Sequence, residues 1–262
     1  MSAYSPGMSF AVAAEDYDRF MGRYSTRLAP VFADFAGVGA DGRVLDVGCG
    51  PGALTSELVR RVGVGNVAAV DPSESFVLAA RERHPGVTVE RAAAEALPFP
   101  DDSFDYALAQ LVVLFMADPV GGIREMARVV RPGGHVAACV WDHAGDGGPL
   151  SPFWSVARGL DPGVADESRL AGARSGHLTE IFGEAGLGEL DEQSIEVELE
   201  HATFEEWWGP YTLGVGPAGV YVSSLGPERR DELERRCRAL HPAEPFTVTA
   251  RAWACSGRAD RL

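Results

Sequence analysis

Residues 46–52 combine an acidic side chain with a glycine-rich turn, a pattern typical of sites for nucleoside-like ligands. Asp46 follows a short apolar run, and glycines then stand at alternate positions, Gly48, Gly50 and Gly52. Glycines at this spacing let the backbone approach a ligand closely and adopt positive φ where a turn requires it. A helical pattern begins at Ala53, so free N–H groups at a helix N-terminus would face the same ligand. The segment predicts a buried strand, a turn and a helix start that together bind a polar ligand.

The glycines alone leave two ligand classes open. Together with Ala53 they satisfy the dinucleotide-binding pattern, and Asp71 ends the next apolar run roughly 20 residues on, where an acidic residue would hold a ribose. Asp46 at the mouth of the turn would repel a pyrophosphate and would suit a cationic group, such as an ammonium or a sulfonium. Pro51 removes one of the N–H groups that a pyrophosphate would use. A ligand with a ribose and without phosphates fits better.

Four segments of the chain resemble signatures of the class I S-adenosylmethionine-dependent methyltransferases, in the small-molecule branch that includes the quinone-biosynthesis methyltransferases. They are residues 44–52, which resemble motif I, residues 69–73, which resemble the ribose-binding motif, and residues 97–105 and 128–134. The segments occur in the order and at the spacing typical of that branch. The chain after Trp141 resembles the family only loosely, and substrate choice is usually made in that part.

The resemblance implies S-adenosyl-L-methionine as cofactor and names the side chains that would contact it. The N-terminal helical segment covers the methionine end in relatives, which would bring Arg23 to the cofactor carboxylate. Many members hold the adenine with an Asp where this chain has Ala93, so backbone groups of Ala94 and Glu95, or the Glu95 side chain, would hold it here. The predicted cofactor-binding residues are Asp46, Gly48, Cys49, Gly50, Gly52, Asp71, Pro72, Ser73, Ala94, Glu95, Gln110, Leu111, Arg23 and Tyr17.

The fourth predicted strand ends at Gln110 and Leu111, at the edge where ligands bind in open α/β sheets. Relatives often have a His shortly afterwards as a candidate base, but the five residues that follow Leu111 include no titratable group. His143 follows the fifth predicted strand at the same edge and is the candidate catalytic base, ahead of His177 and His201. A base is needed only where the acceptor must lose a proton.

Aromatic side chains are concentrated after a capping box at residues 203–206, which predicts a helix start. Trp207, Trp208 and Tyr211 are predicted to line an apolar pocket for a small, flat or lipophilic acceptor. Much of the acceleration of methyl transfer would then come from positioning the acceptor. The alternative is that these aromatic side chains are core residues of inserted helices.

Alternating strand and helix patterns predict an α/β fold with a doubly wound, mostly parallel Rossmann-like sheet. By resemblance, a last strand inserts antiparallel beside the fifth, and helical insertions form a substrate cap. The chain is expected to be a single methyltransferase domain. Its predicted parts are an N-terminal helical lid (1–40), a cofactor-binding core (41–141), substrate-cap insertions around a sheet strand (142–245) and a final strand (246–256).

Composition argues against several function classes. The net charge of −15 without a basic run argues against a nucleic-acid substrate, which would need a basic face. The longest apolar run, residues 106–117, is too short to span a bilayer, and no signal-peptide pattern is evident. The four cysteines are scattered, so we expect neither a disulfide framework nor a metal site, and a cytoplasmic protein. A monomer or homodimer acting on a small-molecule acceptor is expected.

Two other function classes stay open. A nicotinamide-dependent oxidoreductase uses a similar turn but needs a Tyr-Lys or His pair on the hydride side, and this chain has no lysine. A protein that binds S-adenosylmethionine without transferase activity would also fit, because the fourth strand supplies no base and the adenine-binding Asp is missing.

Overall fold

The computed structural model describes residues 14–259, and these form one seven-stranded sheet with helices on both faces. The strands lie in the order β3-β2-β1-β4-β5-β7-β6. They are β1 (Val44–Val47), β2 (Val67–Asp71), β3 (Thr88–Arg91), β4 (Phe104–Gln110), β5 (Val130–Trp141), β6 (Gly188–His201) and β7 (Phe246–Arg258). The first five strands are mutually parallel, and β7 runs antiparallel to both of its neighbours, β5 and β6. The predicted α/β fold with an antiparallel last strand is confirmed.

Helices on the two faces cover the sheet. They are α1 (Ala14–Tyr17), α2 (Arg23–Phe35), α3 (Ala53–Val62), α4 (Glu74–Arg83), α5 (Pro119–Val129), α6 (Ser151–Leu160), α7 (His177–Glu184), α8 (Phe204–Trp208), α9 (Gly216–Ser224) and α10 (Pro227–Leu240). A π-helical turn, Asp18–Gly22, joins α1 to α2. Each of these helices is too short or too polar to cross a bilayer.

The pattern of buried and exposed residues along each strand depends on which faces of the sheet are covered. All four residues of β1 are buried, as expected for a parallel strand with helices on both sides. Towards its end β6 alternates, with Ile195, Val197 and Leu199 buried and the intervening glutamates exposed, because only one face of this strand is covered. The sheet strand expected within residues 142–245 is therefore β6, with one covered face.

Two buried apolar clusters lie on opposite faces of the sheet. Alternate residues of β5 divide between them, with Cys139 and Trp141 on the side of α2, α3 and α6 and Val140 on the side of α5 and α7. The strand order reverses at β1, which lies between β2 and β4. A crevice at the carboxyl ends of β1 and β4 is therefore where a ligand is expected.

Some local predictions differ from the structure. Pro72, a predicted cofactor-binding residue, precedes α4, whose N-cap is Ser73. Strand β5 begins at Val130, and residues 131–134 form an irregular stretch between its pairs with Phe104 and Tyr106 of β4. The last strand, predicted as 246–256, reaches Arg258. Of the predicted N-terminal lid (1–40), residues 1–13 lie outside the described residues.

Candidate active site

The glycine turn after β1 is shaped by packing behind it and open space in front of it. Gly48 has a φ of +71°, and a Cβ there would lie 2.5 Å from the side chain of Val112. Gly52 has a φ of +101°, and its Cβ would lie 2.6 Å from Nε2 of His84. Gly50 also has positive φ, +54°, but a Cβ there would meet nothing within 4 Å. The turn thus presents bare backbone to an open space at the end of the sheet.

Asp71 joins this turn to the end of β2. Its Oδ2 accepts the backbone N–H of Gly50 at 2.9 Å, and its Oδ1 accepts that of Ser73 at 2.8 Å. Burial raises the pKa of this carboxyl, and the two N–H donors oppose the shift. A carboxylate has about four acceptor positions, so hydroxyl donors from a ligand can still bind to it.

Asp46 lies behind the turn rather than at its mouth. Its side chain is 1% exposed, and Oδ2 accepts the hydroxyl of Thr55 at 2.6 Å. Burial raises its pKa to about 7; the Thr55 hydrogen bond lowers it and the nearby Asp71 adds to the rise. A cationic group brought close to Asp46 would favour its ionised form.

The back of the turn is supported by two side chains that sequence reasoning missed. Nε2 of His84 lies 3.2 Å from the carbonyl oxygen of Gly52 and 3.2 Å from the hydroxyl of Ser56. Arg83 donates to the carbonyl of Pro51 at 3.2 Å. Both residues stand at the end of α4, and no motif marks them, because their role depends on how α4 packs against the turn.

The helices of residues 14–35, here called the lid, cover the open side of the site. Tyr17 packs on the ring of Phe76 at 5.3 Å between centroids. Its pKa is raised to about 12, mainly by burial and partly by the charge of Asp71. Tyr17 therefore lies against α4, the helix that follows Asp71.

The carboxyl end of β4 carries a buried amide and a strained backbone. Gln110 donates from Nε2 to the carbonyl of Ser25 in the lid at 3.1 Å. Its buried Oε1 has no hydrogen-bond partner within residues 14–259. Leu111 has a φ of +64°, a conformation that costs a non-glycine residue about 1–3 kcal/mol and is typical of functional sites. Both residues lie at the edge where the sequence predicted ligand contacts.

Cys49 and Ala94 are mostly buried. The thiol of Cys49 lies 3.4 Å from the carbonyl of Gly50, and burial raises its pKa well above the ordinary value. Ala94 is 7% exposed. Neither side chain carries a free polar group towards the open space, so only their backbones are available to a ligand.

Glu95 and Arg23 have partners within the protein. The carboxylate of Glu95 accepts the N–H groups of Ala117 and Asp118, at 2.8 and 3.2 Å, ahead of α5. Arg23 forms an ion pair with Glu206 at 2.7 Å. The structure therefore uses Glu95 to fix a loop and directs Arg23 towards α8, whereas the sequence predicted cofactor contacts for both.

A narrow pocket of about 10 Å³ lies between the lid and residues 199–211. Trp207 and Tyr211 line it, as does His201, the histidine ranked behind His143 in the sequence analysis. Trp208 is 6% exposed and packs against Phe153 and Phe204, outside the pocket lining. Among the predicted acceptor residues, the structure thus places Trp207 and Tyr211 at one pocket and Trp208 in the adjoining core.

His143 occupies the loop between β5 and α6. Its backbone N–H bonds the carbonyl of Trp141 at 2.8 Å, and neighbouring Asp142 is paired with Arg251. Burial lowers the pKa of His143 to about 4, against the charges of Asp166 and Asp142. The imidazole is neutral at physiological pH but is not among the residues that line the pocket at the lid.

Within residues 14–259, no group of three or more His, Cys, Asp or Glu side chains is arranged to hold a metal ion. All four cysteines are free and buried.

A parallel sheet that reverses order at β1, a glycine turn after β1, an acidic residue ending β2 and an antiparallel β7 define the class I methyltransferase fold. Residues 45–138 match the family model described as a methyltransferase domain. The chain therefore carries a methyltransferase domain of the class I S-adenosylmethionine-dependent type and resembles the quinone methyltransferases.

Individual comparisons agree with this assignment. A 2-methyl-6-phytyl-1,4-hydroquinone methyltransferase of Oryza sativa is 41% identical over 115 residues, covering 43% of this chain and 31% of that protein. The ubiquinone/menaquinone biosynthesis C-methyltransferase UbiE of Bdellovibrio bacteriovorus is 32% identical over 149 residues. The match covers 52% of this chain and 63% of that protein. A putative type II methyltransferase structure from Anaeromyxobacter dehalogenans matches with a TM-score of 0.65 at 26% identity, covering 89% of this chain and 97% of the other. This chain thus spans less than two thirds of the length of either curated relative.

Proposed function

We propose that this protein transfers the methyl group of S-adenosyl-L-methionine to a small acceptor that is apolar or aromatic in character. The observation that carries the proposal is the placement of Asp71. Its carboxylate is fixed by N–H groups from the glycine turn and from the start of α4, beside an open backbone at Gly50. This arrangement suits two ribose hydroxyls without requiring any phosphate.

Other described groups fit the remaining parts of the cofactor. The unpartnered Oε1 of Gln110 suits an ammonium donor at the amino-acid end, and a cation brought close to Asp46 would favour the ionised form of that carboxyl. Backbone groups of Ala94 and Glu95 suit the adenine, since the Glu95 carboxylate already accepts two N–H groups. When bound, S-adenosyl-L-methionine supplies an electrophilic methyl group on its sulfonium.

The chain's own contribution is to bind, orient and exclude water. Tyr17 packs on Phe76 in α4, the helix after Asp71, and Gln110 ties the end of β4 to the lid through the carbonyl of Ser25. Holding donor and acceptor in line in a closed site converts a bimolecular encounter into an effectively unimolecular step. A monomer or a homodimer can do this, and a cytoplasmic small molecule is the partner we propose.

Calorimetric titration with S-adenosylhomocysteine, with NAD as the competing ligand, tests the cofactor assignment. Asp71→Ala should weaken binding of S-adenosylhomocysteine about tenfold or more, since hydrogen bonds to a charged group contribute about 1.5–3 kcal/mol. Asp41→Ala is the matched control, because Asp41 is exposed in the loop ahead of β1. Binding of NAD, or of neither ligand, would contradict the proposal.

A further inference from the structure

The pocket between the lid and residues 199–211 holds a buried pair of polar side chains. Oη of Tyr24, on α2, lies 3.0 Å from Nε2 of His201, the last residue of β6. Tyr24 is 5% exposed and His201 is 3% exposed, and both line the pocket. Removing two polar side chains from water costs free energy. A buried polar pair beside a cavity therefore suggests that its polar groups serve a function there.

Two ring nitrogens at this pocket lack partners. Nδ1 of His201 and Nε1 of Trp207 are both buried and have no hydrogen-bond partner in the described part of the chain. Both side chains line the pocket. Unsatisfied buried nitrogens each cost about 1–3 kcal/mol, and a ligand hydroxyl that reached either nitrogen would remove that cost.

The pocket adjoins the end of the sheet where the cofactor would lie. The ring of Tyr24 meets that of Trp141, at the end of β5, with centroids 6.4 Å apart and planes at 82°. The next residue, Ser25, has its carbonyl bonded by Gln110 at the end of β4. One turn of α2 therefore contacts both the predicted cofactor edge and His201.

We infer that this pocket binds the methyl acceptor and that Nδ1 of His201 takes the proton from an acceptor hydroxyl as the oxygen receives the methyl group. The inference rests on the proposed function. The bond from sulfur to the methyl carbon breaks, the bond from that carbon to the acceptor oxygen forms, and the O–H electron pair stays on oxygen as its proton passes to the imidazole. In the tautomer that this step requires, Nε2–H of His201 donates to the Tyr24 oxygen at 3.0 Å, so Tyr24 is a positioning residue.

The weak basicity of His201 is consistent with this role. Its pKa is lowered to about 4 by burial, then by Arg23 and His241, with Glu206 acting in the opposite direction. A base this weak does not ionise a phenol in advance. It does accept the proton while the new bond forms, because an oxygen that gains a methyl group becomes a far stronger acid.

The pocket as it stands has room for about one water molecule, so an acceptor requires it to widen. The outer wall of the pocket comes from the lid. Arg23 pairs with Glu206 across it, and Phe20 touches the ring of Tyr211 edge-on at 5.5 Å. An acceptor would have to displace these two side chains while Tyr24 stays bonded to His201.

Two flat phenols test the inference, with labelled S-adenosylmethionine as donor at about pH 8. Naphthol is neutral at that pH, whereas para-nitrophenol is already ionised. His201→Asn should lose about a hundredfold or more in turnover of naphthol, the range for a lost general base, and much less with para-nitrophenol. Tyr24→Phe should show a smaller loss of turnover, which should again be greater with naphthol than with para-nitrophenol. His135→Asn is the control, because His135 stacks on Tyr106 near the start of β5.

Separate measurements identify which proposal fails. S-adenosylhomocysteine affinity should be unchanged in His201→Asn and Tyr24→Phe. Both variants should stay folded, with an unfolding midpoint lowered by the lost buried hydrogen bond, and a merely structural effect would reduce turnover of the two phenols equally. Equal losses on the two phenols, no loss, or no methylation of either phenol by a wild-type protein that binds S-adenosylhomocysteine would each overturn the role of His201. Failure of the wild type to bind S-adenosylhomocysteine would instead reject the proposed function itself.

Discussion

Arg83 and Asp18 form an ion pair, with NH2 of the guanidinium 2.5 Å from Oδ2 of the carboxylate. The same guanidinium donates from NH1 to the carbonyl of Pro51 in the glycine turn. A single side chain therefore joins the turn that would hold the cofactor to the lid that would cover it. Closure of the lid and order in the turn are coupled through this contact.

Arg83→Gln should weaken S-adenosylhomocysteine binding about two- to fivefold, because the lid loses one of its ties to the turn. The effect is modest because both side chains are more than a third exposed, where ion pairs contribute about 0–1 kcal/mol and are screened by salt. Titration at low and high salt checks this, since the difference from wild type should shrink as salt is added. Arg124→Gln, on the exposed side of α5, is the control, and an equal effect there would contradict the coupling.

Gly48→Ala and Gly50→Ala should separate stability from binding. At Gly48 the new Cβ would strike Val112, so we expect a loss of about 1–3 kcal/mol in the free energy of unfolding. At Gly50 the Cβ meets open space and the cost should be only about 1 kcal/mol of backbone strain. Ligand binding should weaken in Gly50→Ala, because the new Cβ would occupy the open space in front of the glycine turn. Urea unfolding and calorimetry on both variants measure the two effects, and a larger stability loss at Gly50 would contradict the assignment.

Glu167 should make the protein less stable as pH rises. It is 3% exposed, its buried Oε2 lacks a partner in the described chain, and burial raises its pKa from 4.5 to about 7. A folded pKa above the unfolded one gives a stabilising contribution that is complete below the unfolded pKa and is lost as pH rises through about 7. A shift of about 2.5 units corresponds to at most about 3 kcal/mol.

Glu167→Gln should therefore flatten the pH dependence and make the variant relatively more stable above neutrality. Urea unfolding between about pH 5 and pH 8 compares it with wild type and with Glu196→Gln, which changes an exposed side chain of β6. A Glu167→Gln profile parallel to wild type would show that the buried carboxyl does not titrate as described.

Asp46 should couple cofactor binding to pH. Without ligand its pKa is about 7, and a bound cation would lower it, so binding near neutrality should release protons and tighten as pH rises through that value. Calorimetry with S-adenosylhomocysteine in two buffers of different ionisation enthalpy measures the proton count. Asp46→Asn should abolish the release, whereas proton uptake by the wild type would contradict this account.

Local sequence patterns predicted most of the elements because they depend on nearby residues. Helix α3 spans Ala53–Val62, as its periodicity and preceding glycine indicated. The alternation of β6 identified a strand covered on one face. The extension of β5 through residues 131–134 was not predicted. These residues form an irregularity between the pairs Phe104–Val130 and Tyr106–His135, and Gly133 keeps the positive φ of a turn.

Side-chain partners were harder to predict than elements. Tyr24 and His201 are separated by 177 positions, and no spacing rule brings them together. Asp46 lies within β1, but its buried hydrogen bond with Thr55 depends on how the next helix packs and has no local sequence signal. Arg23 pairs with Glu206 because α8 packs beside the lid, which is a consequence of the cap topology rather than of local sequence.

The exposed glutamates of β6 also bear on self-association. This strand is the outermost of the sheet, and Glu196, Glu198 and Glu200 are exposed along it. A second copy pairing along this edge would bring two rows of carboxylates into one surface, where like charges repel. The sheet therefore ends in a strand that resists continuation by another copy, and raising the salt concentration would weaken that resistance.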